Sequence, residues 1–148
     1  MPPPTLITIP SYDVLVVGAG HAGCEAALVS ARMGANTALL TMDRLAIGRM
    51  SCNPSIGGIA KSHLVVELDA LGGEMAVNTD YTGIQFRTLN TKKGPAVRAF
   101  RAQCDKPAFS ARLVEVVSNT PNLKLIQGTA IRIRVTGDQV KGVILQDG

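Results

Sequence analysis

The chain has 148 residues, 46% of them hydrophobic and 18% charged, with a net charge of +4. That is enough for one folded domain with a real core, and no apolar run reaches the length of a membrane span. Aromatic content of 3%, with no Trp, argues against a stacking platform for single-stranded nucleic acid. The three cysteines, Cys24, Cys52 and Cys104, are odd in number and widely spaced, without C-x-x-C. Neither a disulfide framework nor a metal site is expected, and a reducing cytoplasm suits them. Met1-Pro2-Pro3-Pro4 is neither a secretory signal nor an Arg-rich transit peptide. Residues 1–11 read as an N-terminal tail and 12–148 as the domain.

The first predicted strand, residues 13–17, runs directly into Gly18-Ala19-Gly20-His21-Ala22-Gly23. Its continuous apolar pattern predicts burial on both faces. The helix predicted over 21–33 starts inside this G-x-G-x-x-G fingerprint. Strand, fingerprint and helix in that order point to a dinucleotide cradle, the alternative being a glycine-rich turn in an ordinary βα unit. Gly18 permits the tight turn, Gly20 lets backbone approach a pyrophosphate, and Gly23 lets helix and strand pack closely. The free N–H groups and positive end of the helix dipole then face the phosphates. Ala22, Ala26, Ala27, Val29, Ser30 and Met33 are the expected packing face, and Gly34 closes the helix. A second parallel strand, 37–41, completes a βαβ unit.

Residues 42–58 read as irregular, being rich in Gly, Ser, Asn and Pro. A helix is predicted over 59–71, with Leu64, Leu68 and Leu71 on one stripe and Gly72-Gly73 at its end. Residues 84–89 alternate like a short strand, and 91–95 form a loop. Asp105 caps a helix predicted over 106–118, with Pro107 in its first turn and Phe109, Leu113, Val116 and Val117 inward. Residues 122–127 are the third parallel strand. Residues 130–135 and 139–145 pair through Thr136-Gly137-Asp138 as a hairpin.

This order of elements favours FAD over NAD. A βαβ unit, a long excursion, a third strand and an antiparallel hairpin resemble the two-dinucleotide-binding flavoproteins. The predicted fold is therefore α/β: a Rossmann-like FAD-binding domain of that type, incomplete, with a β-hairpin of the meander at its C-terminal end. The acid that usually binds ribose is replaced by Thr41, with Asp43 two residues on. Thr41 retains one possible ribose hydrogen bond.

Charge is uneven. Residues 87–112 hold Arg87, Lys92, Lys93, Arg98, Arg101, Lys106 and Arg112 against Asp105 alone, a local +6. Cofactor phosphates, a nucleic-acid backbone and a plain solvated face all fit such a block. Gly57 and Gly58 suit either an anion-holding turn or the start of a helix. His21 belongs to the fingerprint and His63 to a helix surface. Cys24 and Cys104 read as packing residues.

Five segments together resemble the glucose-inhibited division protein A (MnmG) family. They are the fingerprint through Cys24-Glu25-Ala26-Ala27, Met50-Ser51-Cys52-Asn53-Pro54-Ser55-Ile56-Gly57-Gly58, Asp69-Ala70-Leu71-Gly72-Gly73, Gly83-Ile84-Gln85-Phe86-Arg87 and Lys93-Gly94-Pro95-Ala96-Val97-Arg98. The Cys52 segment is the most specific of them. The resemblance implies the FAD-binding part of an enzyme that modifies C5 of the wobble uridine in tRNA. It implies NADH and methylenetetrahydrofolate as co-substrates, an MnmE-type GTPase as partner and a homodimer. It implies that Gly18, Ala19, Gly20, His21, Ala22 and Gly23 hold the FAD pyrophosphate, that the backbone at Ala130 meets the adenine side, and that Cys52 is catalytic. The residues alone leave open an FAD/NAD oxidoreductase acting on a small molecule.

The same loop gives Cys52 a chemical reading. It is expected just before a helix, where the dipole promotes the thiolate. Addition of a thiolate at uridine C6 is a common start for C5 chemistry. A general acid, a protector of the flavin and a buried structural cysteine are the other roles open to it.

Overall fold

The computed structural model describes residues 10–146. Residues 1–9 of the expected tail, 1–11, lie outside the described residues, and Ser11 is already tied down, its carbonyl accepting from Asn36 Nδ2 at 2.9 Å. In chain order the elements are β1 (Val14–Val17), α1 (His21–Arg32), β2 (Thr37–Thr41), β3 (Ser55–Gly57), α2 (Ser62–Ala70), α3 (Glu74–Thr82), β4 (Gly83–Leu89), β5 (Ala99–Cys104), α4 (Lys106–Asn119), β6 (Leu123–Gln127), β7 (Ala130–Thr136) and β8 (Gln139–Leu145). Short 3-10 turns occupy Arg44–Ala46 and Pro95–Val97.

Three sheets result among the described residues. The first is parallel, ordered β1-β2-β6, with β2 central. This is the predicted βαβ unit with its third strand, and the α/β Rossmann-type expectation holds. The second is antiparallel, ordered β3-β5-β4. The third is the β7–β8 hairpin, turning at Gly137 with φ +59°.

Every residue of β2 is buried, so its apolar run covers both faces as a central parallel strand requires. β1 departs from expectation. Among the described residues it pairs on one side only, and Leu15 and Val17 stay 36% and 57% exposed. The core gathers Leu28, Leu39, Ile47, Phe109, Leu113 and Val117 between the parallel sheet, α1 and α4. Each fully buried side chain of this kind contributes about 1.5–3 kcal/mol.

The buried face of α1 is Cys24, Ala27, Leu28 and Ala31, so of the predicted face Ala27 alone is buried. Val29 and Met33 are exposed. Close approach of the helix to β1 at Gly23 sets its rotation, and positions spaced 3, 4 and 7 beyond Cys24 turn inward. On α2 the predicted leucine stripe holds only at Leu68. Leu64 and Leu71 are exposed, and Ser62, Val65 and Leu68 are the residues with restricted access. α2 begins at Ser62 rather than 59, because the Gly57-Gly58 bend at φ +86° and +104° comes first.

Three elements lie where none was predicted: β3 inside the irregular stretch, α3 directly after Gly72-Gly73, and β5 within the basic block. α3 lacks a side-chain cap of its own. The Glu25 carboxylate supplies it from α1, accepting the N–H of Glu74 at 3.0 Å and of Met75 at 2.6 Å. A cap borrowed from 49 residues upstream leaves no local signature.

Candidate functional site: a fingerprint turn and a cysteine loop joined by one helix

The fingerprint turn sits at the C-terminal end of β1. Gly18 has φ +100°, and its N–H donates to the Leu40 carbonyl at 2.8 Å, locking the turn to β2. A Cβ at Gly23 would lie 1.8 Å from the Gly18 carbonyl oxygen, so only glycine fits. A Cβ at Gly20 would meet nothing within 4 Å, leaving open space beside the backbone. Gly20 is the N-cap of α1 and offers no side-chain cap. Among the described residues, no hydrogen bond engages the N–H of His21, Ala22 or Gly23. A glycine-lined opening facing three free donors at a helix N-terminus fits a pyrophosphate. Ala19 is buried beneath, its carbonyl accepting from the Gly48 N–H at 2.9 Å and from Cys24 Sγ at 3.4 Å.

Thr41 ends β2 on the same edge. Its hydroxyl donates to the Asp43 carbonyl at 3.1 Å and its own carbonyl accepts from the Gly128 N–H at 2.9 Å. That second bond carries the β6–β7 connection to this edge, where Ala130 opens β7. The Asp43 carboxylate caps the following 3-10 turn at Leu45 N, 2.8 Å, and pairs with Arg49 at 3.2 Å.

Cys52 lies elsewhere, exposed in the loop before β3. The expected position just before a helix is not found, because β3 and the Gly57-Gly58 bend intervene before α2. Another helix start holds the loop instead. The Cys52 carbonyl accepts from Lys106 Nζ at 2.8 Å, and the Pro54 carbonyl accepts from the Cys104 N–H at 2.6 Å. Lys106 is the first residue of α4, capped by Asp105 through the Ala108 N–H at 3.0 Å. One turn along, the Phe109 ring meets the His21 ring edge-on, centroids 5.6 Å apart. The first turn of α4 therefore touches both the fingerprint helix and the cysteine loop. Burial holds the His21 imidazole below its ordinary 6.5, partly opposed by Glu25.

The other two cysteines are inert packing residues. Cys24 and Cys104 are each 1% exposed. Burial pushes the Cys24 thiol up to about 11 and the Cys104 thiol upward as well. The Gly58 N–H is not free to hold an anion, since it already donates to the Phe100 carbonyl at 2.7 Å.

The antiparallel sheet has two unlike faces. Ile56, Phe86, Phe100 and Ala102 line a cleft of about 450 Å³ against α2 and α3. The strand register puts Ser55, Gly57, Gln85, Arg87, Arg101 and Gln103 on the other face. There Cys52, Asn53, Ser55, Lys61 and Arg101 line a polar cleft of about 370 Å³. Sequence reading missed Asn53, Ser55 and Lys61 as cleft residues. The alternation from Ala99 to Cys104 was the available signal for β5, obscured by the charges around it. Arg112, from the same basic block, serves the fold: it pairs with Glu74 at 2.6 Å. Among the described residues, no group of three or more His, Cys, Asp and Glu is placed to hold a metal ion. No helix among them is long and apolar enough to cross a membrane.

Comparison with known proteins gives this arrangement a lineage. Residues 13–148 match the family described as Glucose inhibited division protein A. The chain is 64% identical over 137 residues to a tRNA uridine 5-carboxymethylaminomethyl modification enzyme MnmG from Syntrophotalea carbinolica, covering 93% of this chain and 22% of that protein. A solved structure of Aquifex aeolicus GidA superposes with a TM-score of 0.91 at 51% identity, over 94% of this chain and 23% of the other. A GidA-related protein from Thermus thermophilus, at 24% identity and a TM-score of 0.63 over 94% of this chain and 48% of the other, shares the fold. The chain thus spans about a fifth of the length of the curated relatives it matches. It belongs to the glucose-inhibited division protein A family.

Proposed function

We propose that this chain is the N-terminal, FAD-binding portion of a cytoplasmic enzyme that modifies C5 of the wobble uridine in tRNA. The 64% identity to an enzyme named for tRNA uridine modification supports the reaction class. The observation that carries the reading is the first turn of α4, which holds the Cys52 loop through Lys106 and packs on the fingerprint helix through Phe109 and His21. A cofactor cradle and an exposed thiol thereby share one rigid support.

In this reading the free N–H groups of His21, Ala22 and Gly23 hold the FAD pyrophosphate, and Gly18 and Gly20 keep the approach open. Thr41 faces the ribose and the backbone at Ala130 the adenine side. Bound FAD supplies a two-electron redox centre, with NADH as reductant and methylenetetrahydrofolate as one-carbon donor. Cys52 acts on the pyrimidine. Its thiolate adds to uridine C6, the C5–C6 electron pair moves toward O4, and C5 then attacks the methylene of the one-carbon donor, whose bond to the folate nitrogen breaks with its electron pair left on that nitrogen. Loss of the C5 proton after substitution returns the electron pair and expels the thiolate. An MnmE-type GTPase and a second copy of the intact protein complete the assembly.

The test is Cys52→Ser in the intact protein, with modified wobble uridine assayed in tRNA digests and flavin content read by absorbance. Loss of product with FAD retained is expected. Undiminished product with FAD retained removes the catalytic role.

A further inference from the structure

Arg87 and Arg101 are direct cross-strand partners in the β4–β5 register. Side chains at such positions stand on one face with Cβ atoms about 5 Å apart, and like charges there repel. Both are exposed, and neither forms an ion pair among the described residues. Asp69 and Asp80 line the apolar cleft that Arg87 and Arg101 also border, but neither acid comes within the 4.0 Å of an ion pair. On the other side of Arg101 the register supplies Gly57, which has no side chain. Arg101 donates to Ser55 Oγ at 3.1 Å, which leans it toward the polar cleft shared with Cys52, Asn53 and Lys61.

A repulsive pair with no acid in ion-pair contact lowers its energy by taking an anion between its members. Two guanidinium groups with parallel N–H donors match the tetrahedral oxygens of a phosphate better than a lone lysine does. Of the two, Arg101 lines the polar cleft whose wall carries the Cys52 loop, so an anion held by it would sit beside the reacting group.

We propose that Arg87 and Arg101 form a seat for a phosphate ester on the polar face of β4 and β5, beside the Cys52 loop. The seat gives the site proposed above its anionic contact, and it rests on that reading only for the source of the phosphate. Two sources share this chemistry: the backbone of an RNA substrate and the pyrophosphate of a dinucleotide.

The experiment follows the arginine side-chain N–H signals of the chain by NMR during titration with inorganic pyrophosphate. Saturable shifts at Arg87 and Arg101 are expected. Arg101→Gln should weaken the pyrophosphate response of Arg87 at least tenfold. Arg101→Lys should weaken it less, and Lys141→Gln, on the distant hairpin, should leave it unchanged. Backbone spectra of each variant report that it is folded. Shifts that never saturate, or an equal effect of Arg101→Gln and Lys141→Gln, overturn the seat. Competition then identifies the source. Displacement by a tRNA anticodon-arm hairpin assigns the phosphate to substrate, and displacement by FAD alone assigns it to cofactor. Displacement by FAD alone counts against the RNA-directed reading while leaving the seat standing. Saturable pyrophosphate that neither displaces overturns the seat.

Discussion

Arg112 donates from Nη1 to Oε1 of Glu74 at 2.6 Å, tying α4 to the first turn of α3. Arg32 grips the other carboxylate oxygen at 2.5 Å from α1. The carboxylate side chain is only 7% exposed, and Arg112 also donates to Asn78 Oδ1 at 3.1 Å and lies 4.3 Å from the centre of the Tyr81 ring. Three helices therefore meet at one buried acid.

Glu74→Ala should destabilise the fold by about 3 kcal/mol, the lower end for breaking a buried pair, because Arg32 keeps access to water. The midpoint of urea unfolding measures it. A loss under about 1 kcal/mol, the scale of an exposed ion pair, would show the network to be dispensable.

The two fingerprint glycines should separate folding from binding. Gly23→Ala drives a methyl into the Gly18 carbonyl and should cost at least the roughly 1–3 kcal/mol typical of overpacking. Gly20→Ala meets nothing, so its stability should match the parent chain while FAD affinity of the intact protein falls. Equal thermal losses for both would contradict the geometry.

Thiol reactivity should be all-or-none. In the folded chain one thiol, Cys52, should react promptly with Ellman's reagent at pH 8, since Cys24 and Cys104 are buried and their thiols pushed up. All three should react in guanidinium. Prompt native reaction of two thiols would refute the assigned burial.

Stability should depend on pH through His21. Its folded value lies below the ordinary 6.5, so the unfolded chain binds the proton more readily. The contribution is fully present above about pH 6.5 and is lost as pH falls toward the folded value. His21→Gln should flatten the slope of unfolding free energy between pH 7 and pH 5. An unchanged slope would remove His21 as its source.

Asp105→Ala should cost about 1 kcal/mol by removing the α4 cap. The same change should loosen the Cys52 loop, because Lys106 follows directly. Faster Cys52 labelling together with the stability loss is the expected pair of results.

What could be read from sequence was what depends on neighbours along the chain. Gly18–Gly23 specified its turn through backbone freedom, Asp105 and Pro107 specified a helix start, and Thr136-Gly137-Asp138 specified a hairpin. The fingerprint half of the candidate site was legible for that reason. Cys52 was legible as a residue but not as a place. Its neighbour at the first turn of α4 lies 54 residues along the chain, and no local pattern encodes that distance.

Tertiary structure decided the remainder. It turned α1 by the Gly23 contact, capped α3 with Glu25, spent Arg112 on Glu74 and set Arg101 opposite Arg87. Each outcome pairs groups far apart in sequence. Local conformational preferences act within a few residues, whereas burial, charge pairing and strand register are settled only when distant elements pack together.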